Sequence, residues 1–120
     1  MPVPGPTDLR LALAADCPAR LVLTHVTGKW GVPTLLALAG GTRRWNELRD
    51  SIDGVSEKML AQTLRALVDD GFVVRDQKPT LPPHVEYSLT DVGREIAELL
   101  LPLVERVARH VGDEVPWTRC

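Results

Sequence analysis

The stretch Gly54-Val-Ser-Glu-Lys-Met-Leu-Ala-Gln-Thr-Leu-Arg-Ala-Leu-Val-Asp-Asp-Gly71 reads as one helix with its own start and stop signals. Ser56 is a good N-cap, and Gly71 a good terminator just past the last helical residue. Leu60, Leu64 and Leu67 recur at i, i+4 and i+7, a single helical stripe, which Met59 and Val68 widen. The opposite stripe is Lys58, Ala61, Gln62 and Arg65, read here as free of acids and of bulky side chains. Such a face fits a DNA major groove, where Lys, Gln and Arg meet base-edge acceptors and phosphates. The alternative is an ordinary amphipathic helix with a solvated outer face.

The flanking segments place this helix in a motif. Trp45-Asn-Glu-Leu-Arg-Asp-Ser-Ile52 is expected to be a preceding short helix with Trp45, Leu48 and Ile52 inward, and Asp53-Gly54 a tight turn. Two short helices joined in this way form a helix-turn-helix. On the far side, Gly71-Phe-Val-Val-Arg75 and Val85-Glu-Tyr-Ser-Leu89 read as two strands. Between them, residues 76–84 carry three prolines, which make the loop stiff and extended, so the pair forms a wing. Thr42-Arg-Arg44 is a short basic run expected to pair as an edge strand.

Towards the N-terminus, residues 1–7 hold three prolines and a glycine and are expected to be disordered, and residues 8–15 allow a short helical turn. Pro18 suits the first position of a helix over 18–27, with Leu21, Val22 and Val26 inward and Cys17 at its start. A second helix is expected from about Lys29 to Ala39, with Pro33 in its first turn, Trp30 packed inward and Gly40-Gly41 as its stop. Towards the C-terminus, Thr90-Asp91 caps a long helix running to about Val111, with Pro102 expected to kink it. Its apolar positions Val92, Ile96, Leu99, Leu100, Leu103, Val104 and Val107, with Leu101 beside them, exceed what one small domain needs to cover. A partner helix is therefore expected. Residues 112–120 read as a flexible tail in which Trp117 can pack. The folded domain thus spans 8–111, mainly α with a small β-hairpin wing, including a dimerisation helix over 90–111.

Composition narrows the function. At 120 residues the chain is one domain, with ordinary hydrophobic (44%) and charged (25%) fractions. Aromatics are only 4%, too few for a broad single-strand stacking platform. The net charge of −2 means that any DNA surface must be local. Residues 1–39 carry 3 basic and 2 acidic groups, 40–85 carry 7 and 7, and 86–120 carry 4 and 7. The acidic excess in the last third suits a protein interface better than a DNA surface. Cys17 and Cys120 are far apart, neither a zinc pattern nor a disulfide framework. No apolar run has transmembrane length, and the N-terminus lacks signal-peptide order, so a cytoplasmic protein is expected. Asp16, His25, His84 and His110 make no nucleophile-base spacing, and there is no Gly-rich phosphate loop. No enzyme, metal or cofactor is expected.

Taken in order, Cys17, Gly28-Lys-Trp30, Arg44-Trp-Asn-Glu-Leu48, Gly54-Val-Ser-Glu-Lys-Met-Leu60, Leu64-Arg-Ala-Leu67, Asp70-Gly71, Pro82-Pro-His-Val-Glu-Tyr-Ser-Leu-Thr90 and Gly93-Arg94 resemble the HxlR family of winged helix-turn-helix transcription regulators. The resemblance covers about residues 17–111. It implies a homodimer, a reading helix in the major groove, a wing over the backbone, and often a response to oxidants or electrophiles through the N-terminal cysteine. A two-fold dimer would read palindromic half-sites in a double-stranded operator. Trp45 stands where phenylalanine is common, His84 where arginine is common in the wing, and Gly31-Val-Pro33 replaces a more helix-friendly run.

The candidate DNA contacts are Ser56, Lys58, Gln62 and Arg65 on the reading helix, and Lys78 and His84 on the wing. Arg43 and Arg44 either contact phosphates or solvate the edge of the core. Cys17 is either a thiolate sensor aided by the helix start or a small buried apolar residue. Ile96, Leu99, Leu100, Leu103, Val104 and Val107 are the candidate dimer interface. Two other readings remain open: a regulator that senses a small-molecule effector in a pocket between the core and the dimer helices, and a winged-helix module that binds protein rather than DNA.

Overall fold

The computed structural model describes residues 13–114, with side chains placed through 112. The expectations for 1–12, Trp117 and Cys120 lie outside them. Within this range five helices and three strands follow in order: α1 (Pro18–Thr27), α2 (Gly31–Ala39), β1 (Arg43–Arg44), α3 (Trp45–Ser51), α4 (Glu57–Asp69), β2 (Val73–Lys78), β3 (His84–Leu89) and α5 (Asp91–Glu114). Residues 13–16 form a turn ahead of α1. The architecture is the expected one, mainly α with a winged helix-turn-helix.

Pro18 opens α1, and Cys17 is its N-cap in extended conformation. Val26 is buried and Val22 packs on the core, but Leu21 is 60% exposed. Contrary to the inward position expected of it, Leu21 is rotated away from the stripe through 22 and 26 that α1 buries. α2 opens at Gly31 rather than Lys29, with Pro33 in its first turn, where a missing N–H breaks no helical bond. It is the most buried helix, with Thr34, Leu35 and Leu38 inside and the Thr34 hydroxyl donating to the Trp30 carbonyl at 2.7 Å. Trp30 packs against the core as expected.

α3 and α4 form the helix-turn-helix. Leu48 and Ile52 are buried, and Trp45 packs against the same core. On α4, Ser56 Oγ accepts from the Met59 N–H at 3.1 Å, satisfying one of the helix's orphan donors. Leu60, Leu64 and Leu67 are buried. Truncating any one to Ala is expected to cost about 2–5 kcal/mol. Asp70 is the C-cap, and Gly71 follows at φ +87°, a conformation that favours glycine. The Gly71 and Phe72 N–H groups donate to the Val68 and Leu67 carbonyls, both at 3.0 Å, which completes a Schellman stop.

The sheet order is β1-β3-β2, antiparallel throughout, with β1 at one edge and β2 at the other. The wing strands are longer than expected: cross-strand pairing runs from Val73↔Leu89 out to Lys78↔His84. The loop shrinks to residues 79–83, because polar residues 76–78 and 84 continue the ladder beyond the core even though apolar alternation has ended. α5 passes through Pro102 as one continuous helix and extends three residues past Val111, to Glu114.

A junction ties α4 to α5. Thr90 Oγ1 accepts from the Gly93 N–H at 3.0 Å as the cap of α5, and donates to the Gly71 carbonyl at 2.7 Å. The Thr90 N–H donates to the Phe72 carbonyl at 3.0 Å. A Cβ at Gly93 would overlap that same Phe72 carbonyl, so the close approach of the two segments requires glycine there.

Candidate nucleic-acid interface

The outer face of α4 is presented by the burial of its inner face. With Leu60, Leu64 and Leu67 inward, Lys58, Gln62 and Arg65 are exposed on the opposite side. Two readings of this helix need correction. Met59 is 37% exposed, because it lies beyond the edge of the buried stripe and faces a cleft shared with Trp30. The outer face also ends in an acid: exposed Asp69 follows Arg65 by four residues and Gln62 by seven, which is the same side of a helix. The cationic part is therefore the N-terminal two-thirds of α4, the end that helix-turn-helix proteins direct at base edges.

An ion pair and a hydrogen bond tie the two ends of α4 to its neighbours. Arg49 Nη1 of α3 meets Glu57 Oε1 at 3.0 Å across the turn. His25 Nδ1 of α1 meets Asp70 Oδ2 at 2.6 Å at the other end of α4, partly buried. Neither engages the cations of the outer face. Among the described residues, Lys58, Arg65, Arg43, Arg44 and Arg75 have no carboxylate within 4.0 Å.

Arg44 caps α3, its N–H donating to Glu47 Oε1 at 2.8 Å, and its side chain is exposed. Arg43 is half-buried and donates to the Thr42 carbonyl at 3.2 Å. Sequence reasoning missed Arg75. Its position is fixed by register: Arg43 and Arg75 both pair with Tyr87, so the three form one row across the sheet. Arg75 shares a sheet face with buried Val73, which directs it to the helix side, where it lines a cleft with Arg65. Arg75 closed the expected strand, and the period-two alternation from Val73 already set it on the inward face.

The wing is electrostatically quieter than expected. Lys78 Nζ sits 2.7 Å from Asp76 Oδ2. The hydrogen bond to Asp76, the charge of Asp76 and then that of Glu86 raise the Lys78 pKa above its usual value. His84 Nε2 meets Glu86 Oε2 at 2.8 Å, and His84 Nδ1 meets Thr80 Oγ1 at 3.0 Å. Thr80 donates its one hydroxyl hydrogen to the Pro82 carbonyl at 2.9 Å. Lys78 and His84 each face a carboxylate within the chain. Ser56 uses its oxygen for capping, and its hydroxyl hydrogen remains available to donate.

Cys17 is buried at the start of α1. On α5, Leu99 (72%), Leu103 (57%), Val107 (53%) and Val104 (38%) are exposed in the single chain. Leu100 is buried in the chain's own core, and Ile96 packs against it. Among the described residues no cluster of ligating side chains could hold a metal, and no helix is long and apolar enough to cross a membrane.

Comparison with known proteins places this geometry. A family model described as HxlR-like helix-turn-helix matches residues 25–115. The HTH-type transcriptional regulator YtfH of Escherichia coli K12 is 54% identical over 100 residues, covering 83% of this chain and 79% of its own. A ytfH transcriptional regulator from Salmonella typhimurium superposes with a TM-score of 0.78 at 48% identity, covering 83% of this chain and 89% of that one. The redox regulator HypR, in its oxidised form, superposes with a TM-score of 0.70 at 34% identity, covering 78% and 96%. The two YtfH relatives are regulators of transcription rather than enzymes. The cationic outer face of α4, the wing beside it and the matched span agree: the chain belongs to the HxlR-like helix-turn-helix family.

Proposed function

We propose that this chain binds double-stranded operator DNA as a two-fold homodimer in the cytoplasm, with α4 in the major groove and the wing along the backbone. The observation that carries this is the two-sided character of α4: leucines buried inside, and Lys58, Gln62 and Arg65 exposed outside with no acidic partner among the described residues. Gln and Arg at these positions suit base edges, while Lys58, Arg43 and Arg44 suit phosphates. The exposed Leu99, Leu103, Val104 and Val107 of α5 supply the dimer contact. Two copies would present two reading helices to half-sites about one helical turn, or a multiple of it, apart. Footprinting with the purified chain tests this. Gln62→Ala and Arg65→Ala are each expected to cost about 1–3 kcal/mol at the specific site and little on random duplex. Unchanged operator affinity in both variants would refute α4 as the reader.

A second reading, redox control through Cys17, has two supports: the likeness to the redox regulator HypR, and the position of Cys17 as the N-cap of α1. Burial opposes it, since a covered thiol reacts only when its surroundings open. Operator binding by wild type and Cys17→Ser, with and without diamide, separates the two. An oxidant effect confined to wild type supports the sensor, and equal responses refute it.

A further inference from the structure

A cleft of about 180 Å³ lies where the reading helix meets the base of the wing. Its walls are the rings of Trp45 and Tyr87 and the side chains of Leu64 and Val68, and Arg65 and Arg75 line it from opposite elements. We propose that this cleft binds a small aromatic carboxylate, and that the bound carboxylate competes with DNA for Arg65. The competition rests on the DNA-binding reading above; the binding site does not.

Three features support this occupant. The first is size: an apolar cavity of ~150 Å³ in another protein takes up benzene, so one ring fits here. The second is charge. Arg65 of α4 and Arg75 of β2 line one cleft, and neither has a carboxylate within 4.0 Å among the described residues. The acids of the adjoining wing are engaged elsewhere, Asp76 with Lys78 and Glu86 with His84. A carboxylate in this cleft can accept charge-assisted hydrogen bonds from the guanidiniums that line it. The third is the wall. A phosphate would meet the guanidiniums but leave the Trp45 and Tyr87 rings unused, whereas a ring bearing a carboxylate meets both. Arg75 is held for this by its register opposite Tyr87, and Arg65 by the burial of Leu64 beside it.

The test titrates the full chain with sodium benzoate at constant ionic strength, following the Trp45 indole N–H by NMR, with the resonance assigned through Trp45→Phe. Benzamide, the neutral counterpart, and inorganic phosphate are the comparison probes. A saturable benzoate shift at Trp45 is expected, with each comparison probe at least about tenfold weaker. Arg75→Gln should weaken benzoate about tenfold, while Arg75→Lys retains part of the affinity and the rest of the spectrum is unchanged. Benzoate should also displace duplex DNA from wild type. The site is overturned if benzoate gives no saturable shift, if benzamide or phosphate matches it, or if Arg75→Gln leaves it intact. Saturable binding with unchanged duplex affinity overturns the competition. A chain that binds benzoate at Trp45 but no duplex refutes the DNA-binding reading alone.

Discussion

Lys58 and Lys78 have the same charge and different surroundings, and salt dependence should separate them. Lys58 lies in the first turn of α4, exposed and without a carboxylate partner among the described residues, so mobile counterions accompany its charge. Each phosphate neutralised on B-DNA adds about 0.9 to the slope of log affinity against log salt, so in the proposed dimer one Lys58 from each protomer would add about 1.8. Between about 50 and 200 mM salt, that difference is about tenfold in affinity. Lys58→Gln should therefore bind more weakly at low salt and lose about tenfold less affinity than wild type over this range. Lys78 is already 2.7 Å from Asp76, so much of its charge is balanced before DNA arrives. Lys78→Gln should change the slope by less than half as much. Fluorescence anisotropy on a specific and a random duplex over a salt series reads both variants. A slope lowered as much by Lys78→Gln as by Lys58→Gln, or not at all by Lys58→Gln, would refute this account of where the countercharge sits.

Thr90→Val keeps the shape but removes the cap on α5 and the bond to the Gly71 carbonyl, and should cost about 2 kcal/mol in urea unfolding at fixed protomer concentration. Thr90→Ser keeps both bonds and should stay within about 0.5 kcal/mol of wild type; equal losses would deny the bonds their role. Leu99→Asp should give a folded monomer by analytical ultracentrifugation, because Leu99 is exposed in the single chain. Leu100→Asp should instead unfold the chain, because that carboxylate would enter the core. Replacing residues 79–83 by a short Gly-Ser turn should weaken specific and random duplex alike, and a loss confined to the specific site would contradict a backbone role for the wing.

Much of this fold was legible because local chemistry and burial agree. Ser56, Leu60, Leu64, Leu67 and Gly71 each do in three dimensions what their spacing implied. What escaped depended on neighbours that a single helix or strand cannot reveal. Leu21 and Met59 are apolar at helical spacing, yet each lies past the edge of the strip its helix buries. Lys78 and His84 carried the right charge for a wing, but pairing with Asp76 and Glu86 depends on strands that continue into polar sequence. Arg75 lay inside the expected strand, but its place beside Tyr87 is a matter of cross-strand register, which one strand does not reveal. Leu100 and Leu99 are adjacent in sequence and belong to different surfaces, one within the chain's core and one outside it.

The Thr90 junction gives the two long helices a shared mechanical origin. α5 starts within hydrogen-bonding reach of the residues that end α4, and Gly93 leaves no room for the segments to slide. In a two-fold dimer built on α5, the reading helices behave as the points of a pair of calipers whose hinge is the packing of α5 on its counterpart. Changes on the outer face of α4 would alter which bases are preferred but not the gap between half-sites. Changes in how α5 crosses its twin would reset the gap while leaving each half-site sequence alone.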